Sequence, residues 1–145
     1  MKTYTPSQKG LEKVSPHFAM HEVWCRHCHQ LQLDQRLIPA LEDLRTLILA
    51  PIVVNSCYRC RAHNASLPNS ASSSKHILGM AADIWSPKVP LRELYEAALR
   101  VPAFRNGGVG VYPEENFIHV DVHSRRRWGW LGRMVSIDDA LRQLG

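Results

Sequence analysis

Residues 117–123 read Phe-Ile-His-Val-Asp-Val-His, and so strict an alternation of apolar and polar side chains fits a β-strand and little else. Successive side chains on a strand point to opposite faces, so Ile118, Val120 and Val122 share one face and belong to the core. Phe117, His119, Asp121 and His123 share the other. A strand face that reads His-x-Asp-x-His is unusual for a surface that need only be soluble. It offers two imidazoles and a carboxylate within a few ångströms of backbone.

The rest of the chain supplies layers to cover such a strand. Over residues 34–49 the spacing of Leu37, Leu41, Leu44 and Ile48 predicts a helix with one apolar face, and Pro39 puts its start close by. Residues 51–55 are a short β-branched strand. Residues 61–75, rich in Ser, Asn and Ala, read as a loop leading to His76. Residues 81–85 read as a second strand, and residues 90–100 as a helix with Leu91, Leu94 and Ala98 inward. Two strands, 109–112 and 117–122, flank a turn at 113–116. Ser136-Ile137-Asp138-Asp139 resembles a capping box that opens a short final helix. The first twenty residues are polar and contain proline, with residues 1–16 a loose lead-in. No repeat, low-complexity tract or linker divides the chain, and 145 residues suffice for one core. The expectation is a single domain over residues 1–145, of α+β class, with a small antiparallel sheet packed against helices.

Charge and hydropathy narrow the setting. A formal net charge of +5 favours an anionic partner, such as nucleic acid, acidic lipid or the carboxylate-rich bacterial cell wall. No apolar stretch approaches the roughly 20 residues of a membrane span. Met1-Lys2-Thr3-Tyr4-Thr5-Pro6 lacks the apolar run of a secretion signal, so the expectation is synthesis in the cytoplasm without a signal peptide.

A third candidate ligand stands upstream. His76 and Asp83 are seven residues apart, an odd spacing that cannot share one face of a continuous strand. A turn at Gly79 removes the objection, letting His76 approach from the loop while Asp83 rises from the strand. His76, Asp83 and His119 together make a suitable zinc ligand set, with a fourth position open to water. Zinc lowers the pKa of water to about 7 and polarises carbonyls, as peptide hydrolysis requires. On spacing alone the alternative stays open, since the chain has 8 histidines and any one could be an ordinary surface residue.

The pattern Ser74-x-His76-x-x-Gly79-x-Ala81-x-Asp83, followed by Gly108-Val109-Gly110-x-Tyr112-Pro113 and Phe117-Ile118-His119-Val120-Asp121, resembles the M15 zinc peptidases. This is the D-Ala-D-Ala carboxypeptidase and murein endopeptidase group, which shares its metal-site architecture with lysostaphin-type peptidases and hedgehog domains. The similarity runs from about His17 to Trp128. It implies a hedgehog/D-Ala-D-Ala-peptidase-like zinc fold, with His76, Asp83 and His119 as the zinc ligands. Arg59, in Ser56-Cys57-Tyr58-Arg59, matches a substrate-facing arginine whose guanidinium would pair with a peptide carboxylate or polarised carbonyl. Many relatives carry Glu or Asp three residues before the last ligand, where this chain has Asn116. Asp121 then becomes the first candidate to accept water's proton, with orientation of a ligand as its other role. Glu114, Glu115, His123 and Tyr112 are the remaining candidates.

The activity so implied is hydrolysis of peptidoglycan peptides by a monomeric zinc enzyme, as a lytic endopeptidase or D,D-carboxypeptidase. It would be an endolysin-like phage or prophage enzyme, or a bacterial housekeeping hydrolase, acting on the wall after release. No nucleic-acid partner and no membrane span are expected. The alternative is a zinc-containing module that binds the wall without cutting it, which the missing acid at 116 favours.

Two motifs lie outside that reading. Cys25-Arg26-His27-Cys28-His29 satisfies the short Cys-x-x-Cys-His haem pattern, but nothing in the chain suggests a helical wrapping for haem. Cys25 and Cys28 with Cys57 and Cys60 form two Cys-x-x-Cys pairs that could close a second, structural zinc site. Free thiols or disulfides are equally consistent with the spacing. Arg125-Arg126-Arg127-Trp128-Gly129-Trp130 mixes cations with aromatics, as single-strand nucleic-acid surfaces do. Next to the candidate metal strand it reads instead as a wall of a substrate groove.

Overall fold

A computed structural model describes residues 2–7, 9–67 and 74–144. The chain opens with strands β1 (Lys2–Tyr4), β2 (Lys13–Ser15) and β3 (Phe18–Ala19) and the one-turn helix α1 (Met20–Val23). Strand β4 (Leu31–Leu33) leads into helix α2 (Leu37–Ile48), strand β5 (Val53–Ser56) and helix α3 (Arg61–Ser66). Then come β6 (Ala81–Trp85), α4 (Leu91–Ala98), α5 (Pro102–Arg105), β7 (Gly108–Tyr112) and β8 (Phe117–Asp121). Strands β9 (Arg126–Trp130) and β10 (Met134–Val135) and helix α6 (Ile137–Arg142) close the chain.

Six strands form one sheet in the order β10-β9-β7-β8-β6-β5. The architecture is α+β, as expected, but the sheet is mixed, because β7 and β9 run parallel while the other neighbours are antiparallel. Strand β8 is already flanked by β6 and β7, and the chain leaving β8 adds at the nearer free edge, that of β7. It begins there at the same end as β7 does, and parallel pairing follows.

Register sorts the two faces. Ile84, Ile118 and Val111 face one another across β6, β8 and β7, and Ala82, Val120 and Val109 form the next row. All six are fully buried. Helices α4 and α5 pack over this face, and α2 packs on both of them. Leu37, Leu41 and Leu44 of α2 are fully buried, each contributing on the order of 2 kcal/mol of transfer free energy. Pro39 lies in the first turn of α2, where a missing N–H leaves no intrahelical bond unmade.

Two sequence expectations change. Residues 1–16 carry two strands: β1 pairs with β4 and β2 with β3. Glu42 of α2 holds the end of β2 by accepting from the Ser15 hydroxyl and from the His17 backbone N–H at 2.8 Å. Residues 61–66, read as loop, are helical because Cys60 caps them, its sulfur accepting from the His63 N–H. The middle of that stretch, residues 68–73, lies outside the described residues. Residues 126–130, in the expected groove wall, form strand β9. Of the expected capping box at α6 the N-cap half is present, with the Ser136 hydroxyl accepting from the Asp139 N–H at 3.1 Å.

Candidate metal centre

The sheet's second face carries the chemistry. Strand pairing sets Asp83 of β6 opposite His119 of β8, His119 opposite Gly110 of β7, and Gly110 opposite Trp128 of β9. A second row, two residues along, sets Ala81 opposite Asp121. His76 comes from outside the sheet, on the turn that precedes β6. Gly79 makes the turn possible: its φ is +66°, and a Cβ there would lie 2.2 Å from the carbonyl oxygen of Gln32.

His76, Asp83 and His119 each present one ligand atom, and these atoms lie within 4.8 Å of one another. The hydrogen bonds decide which ring nitrogens are available. His76 Nδ1 lies 2.7 Å from the Cys57 carbonyl oxygen, which can only accept, so Nδ1 carries the proton and Nε2 faces Asp83 with its lone pair. His119 Nε2 donates to Asp121 Oδ2 at 2.8 Å, which leaves Nδ1 turned to Asp83 Oδ1 at 3.2 Å. Both rings thus spend one nitrogen on a fixed acceptor and turn the other inward, the arrangement found around metal-bound imidazoles.

The carboxylates and imidazoles here shift one another's protonation. Burial alone would raise the Asp83 pKa, but His76 and His119 outweigh it and hold the carboxyl well below the usual range. Burial opposes charge on His119, yet hydrogen bonds to Asp121 and Asp83 hold its pKa above the ordinary value. Asp121 resists burial in the same way, its carboxyl kept at about 2 chiefly by His119. Asp83 with the inward nitrogens of His76 and His119 forms a donor set suited to a divalent metal.

Asp121 stands apart from the inward-facing nitrogens. Its Oδ1 accepts from the N–H groups of Gly108 at 2.9 Å and His123 at 3.0 Å, and its Oδ2 takes His119. A Cβ on Gly108 would meet Asp121 Oδ2 at 2.3 Å, so glycine makes room for the carboxylate. Gly110 does likewise for Trp128, whose indole comes within 2.3 Å of a Cβ at that position. Trp128 then lies 5.0 Å from the His119 ring and donates its indole N–H to the Tyr112 hydroxyl at 3.1 Å. The Gly-x-Gly alternation on β7, part of the motif, is the sequence signal for these two close approaches. Arg126, expected in the groove wall, stacks its guanidinium 4.1 Å from the Trp128 ring.

Arg59 adjoins the same site. Its backbone N–H donates to the His76 carbonyl at 3.2 Å, and its guanidinium reaches the Ser74 hydroxyl at 3.5 Å. Its Nε is buried with no hydrogen-bond partner among the described residues. Burial pushes its pKa down, and the nearby Asp83 carboxylate opposes that most strongly. Of the other acid–base candidates, Glu114, Glu115 and His123 are exposed, and Asn116 sits in the β7–β8 turn with φ of +58°.

The four cysteines do not converge as one set. Cys25, Cys28 and Cys60 lie together, and Cys57 is outside the group. Burial pushes the Cys57 thiol up to about 12, and its backbone carbonyl serves His76. His29, last residue of the haem-like pattern, stacks flat on Trp24 at 4.2 Å.

His76 on its turn and Asp83 and His119 on antiparallel strands come together near the half-buried Arg59, at the positions of the motifs that resemble the M15 metallopeptidases. The chain belongs to the family described as peptidoglycan L,D-endopeptidase MepK, whose model matches residues 4–128. It is 36% identical over 104 residues to a probable peptidoglycan L,D-endopeptidase MepK of Haemophilus influenzae, covering 67% of this chain and 54% of the relative. It is 40% identical over 102 residues to the peptidoglycan L,D-endopeptidase MepK of Escherichia coli K12, covering 66% of this chain and 54% of the relative. The chain thus spans about half the length of the curated relatives it matches. No solved structure matches it.

Proposed function

We propose that this chain is a zinc peptidase that hydrolyses peptide bonds in bacterial peptidoglycan, as an L,D-endopeptidase acting at the cell wall. The observation that carries the proposal is the convergence of His76 Nε2, Asp83 and His119 Nδ1, with each imidazole's other nitrogen already committed. These three side chains would hold the ion. When bound, zinc supplies a Lewis acid that polarises a carbonyl and makes water acidic near neutral pH. Arg59, whose buried Nε lacks a partner among the described residues, would take a carboxylate or carbonyl oxygen of the peptide through paired hydrogen bonds.

In this reading Asp121 takes the second of its two expected roles, orienting a ligand. With its oxygens taken by three donors, and on the Nε2 side of His119, it serves to position that ring rather than to accept a proton. The L,D bond is supported by the names of the relatives, and the hedgehog/D-Ala-D-Ala-peptidase type of fold by the motif order together with Asp83 and His119 on paired strands. Asn116 supports a second reading, a wall-binding module without turnover, since it puts no carboxylate at the position many relatives fill with an acid.

Digestion of purified peptidoglycan by the full chain, read by mass spectrometry of the released muropeptides, separates the two. New termini at L,D bonds, lost with a chelator, restored by zinc and absent for His119→Ala, are the expected result. Binding to the wall with no release in either condition would leave only the binding module. Release that a chelator does not touch would overturn the metal assignment.

A further inference from the structure

The Cys25, Cys28 and Cys60 sulfurs lie within 4.8 Å of one another, at a place the peptidase chemistry does not use. Three thiols cannot all be consumed by disulfides among themselves, and Cys57, buried beside His76, is not one of the group. All four cysteines are free. On one tetrahedral zinc, sulfurs about 2.3 Å from the ion stand about 3.8 Å apart. The observed spread needs only a small contraction to reach that.

The backbone around the sulfurs is arranged for thiolates. Residues 25–30 form a closed turn in which the Cys25 N–H donates to the Gln30 carbonyl and the His29 N–H to the Cys25 carbonyl, at 2.9 and 2.8 Å. His29 completes the turn with φ of +59°. The Cys60 N–H donates to Cys25 Sγ and the His63 N–H to Cys60 Sγ, each at 3.4 Å. Donors aimed at sulfur stabilise it in the charged form that a metal binds. A nitrogen donor adjoins one of the sulfurs: His27 Nδ1 lies 3.8 Å from Cys60 Sγ, outside the mutually close group that the three sulfurs form, so it joins them on one ion only by turning its side chain.

We propose that Cys25, Cys28 and Cys60, with His27 as fourth ligand, form a structural zinc site separate from the His76–Asp83–His119 centre. Zinc enters as the divalent ion and the three thiols release their protons. The site clamps the 25–28 turn to the start of α3. Between the two centres lies a single short stretch, since Cys57 supplies the carbonyl that holds His76 and Cys60 supplies a sulfur. Arg59 stands between them. The inference does not depend on which bond the peptidase cuts, or on whether it cuts one.

Cobalt reconstitution of the full chain tests it, because thiolate ligation gives an intense charge-transfer absorption in the near ultraviolet that a histidine–carboxylate site lacks. The expected result is a second metal equivalent per chain and a thiolate band that survives His76→Ala and Cys57→Ala. Both signals should vanish in Cys60→Ser. A single equivalent without the band, or a disulfide among Cys25, Cys28 and Cys60 in protein purified under reductant, would overturn the site. His27→Ala should shift the band while His63→Ala leaves it in place; the reverse pattern would overturn the choice of His27.

Discussion

The His76–Asp83–His119 group and the Cys25–Cys28–Cys60 group sit at the two ends of residues 57–60, yet they are held in different ways. Asp83 and His119 are placed by strand register: once β6 and β8 pair, the two side chains must face each other. The cysteine group is placed by turns, with N–H groups aimed at sulfur. A site set by register keeps its spacing without an ion, because the ladder hydrogen bonds do not depend on metal. A site set by turns relies on whatever the turns enclose. Chelation should therefore loosen the cysteine region while leaving the sheet intact, which hydrogen exchange can resolve.

Three substitutions probe that contrast, in descending order of expected effect. Asp121→Asn strikes the buried hub that fixes the His119 ring. Loss of such a partner costs about 10- to 100-fold in metal affinity, so a chelator competition assay should show a drop of that size at the histidine site. Unchanged affinity would mean that register alone holds the ring. Gly110→Ala puts a methyl group where the Trp128 indole stands, an overpacking of about 1–3 kcal/mol readable by denaturant unfolding. Stability equal to the parent would show slack in the Asp83–His119–Gly110–Trp128 row.

The smallest effect concerns the N-terminal segment. Burial would raise the Glu42 pKa, but bonds from Ser15 and His17 outweigh it and lower the value. A carboxyl whose pKa is lower in the folded state stabilises the fold above its unfolded value, here about 4.5, and that contribution fades as pH falls through the folded value. Glu42→Gln should thus cost about 1 kcal/mol at neutral pH and almost nothing in acid, by thermal unfolding across pH. A penalty independent of pH would show that Glu42 acts through packing rather than charge.

How much of this could be read from the sequence follows the range of the interaction involved. Local periodicity identified β6 within its observed bounds and α2 to within a few residues. Parity alone put His119 and Asp121 on one strand face and opposite Ile118 and Val120. The Gly79 corner was also legible, since an odd spacing between His76 and Asp83 demanded a turn. What escaped was set by contacts distant in the chain. Parity cannot say that Asp121 faces away from the inward nitrogen of His119, because that depends on the ring's partners. Nothing in two Cys-x-x-Cys pairs distinguishes Cys57, which points into the core after β5, from Cys60, which caps α3. Strand β9 was hidden by its arginines, which leave no clean alternation to see.

Gly79 carries one more lesson, for anyone wishing to move this site elsewhere. What a Cβ at Gly79 would strike is backbone, the Gln32 carbonyl and the Leu33 Cα, rather than a side chain that could be trimmed. The Asp34 N–H in turn donates to the Gly79 carbonyl at 2.9 Å. The portable unit is therefore larger than three ligands. A graft that copied His76, Asp83 and His119 onto a new scaffold without the β4 segment behind the corner would have the right residues and nothing to aim His76.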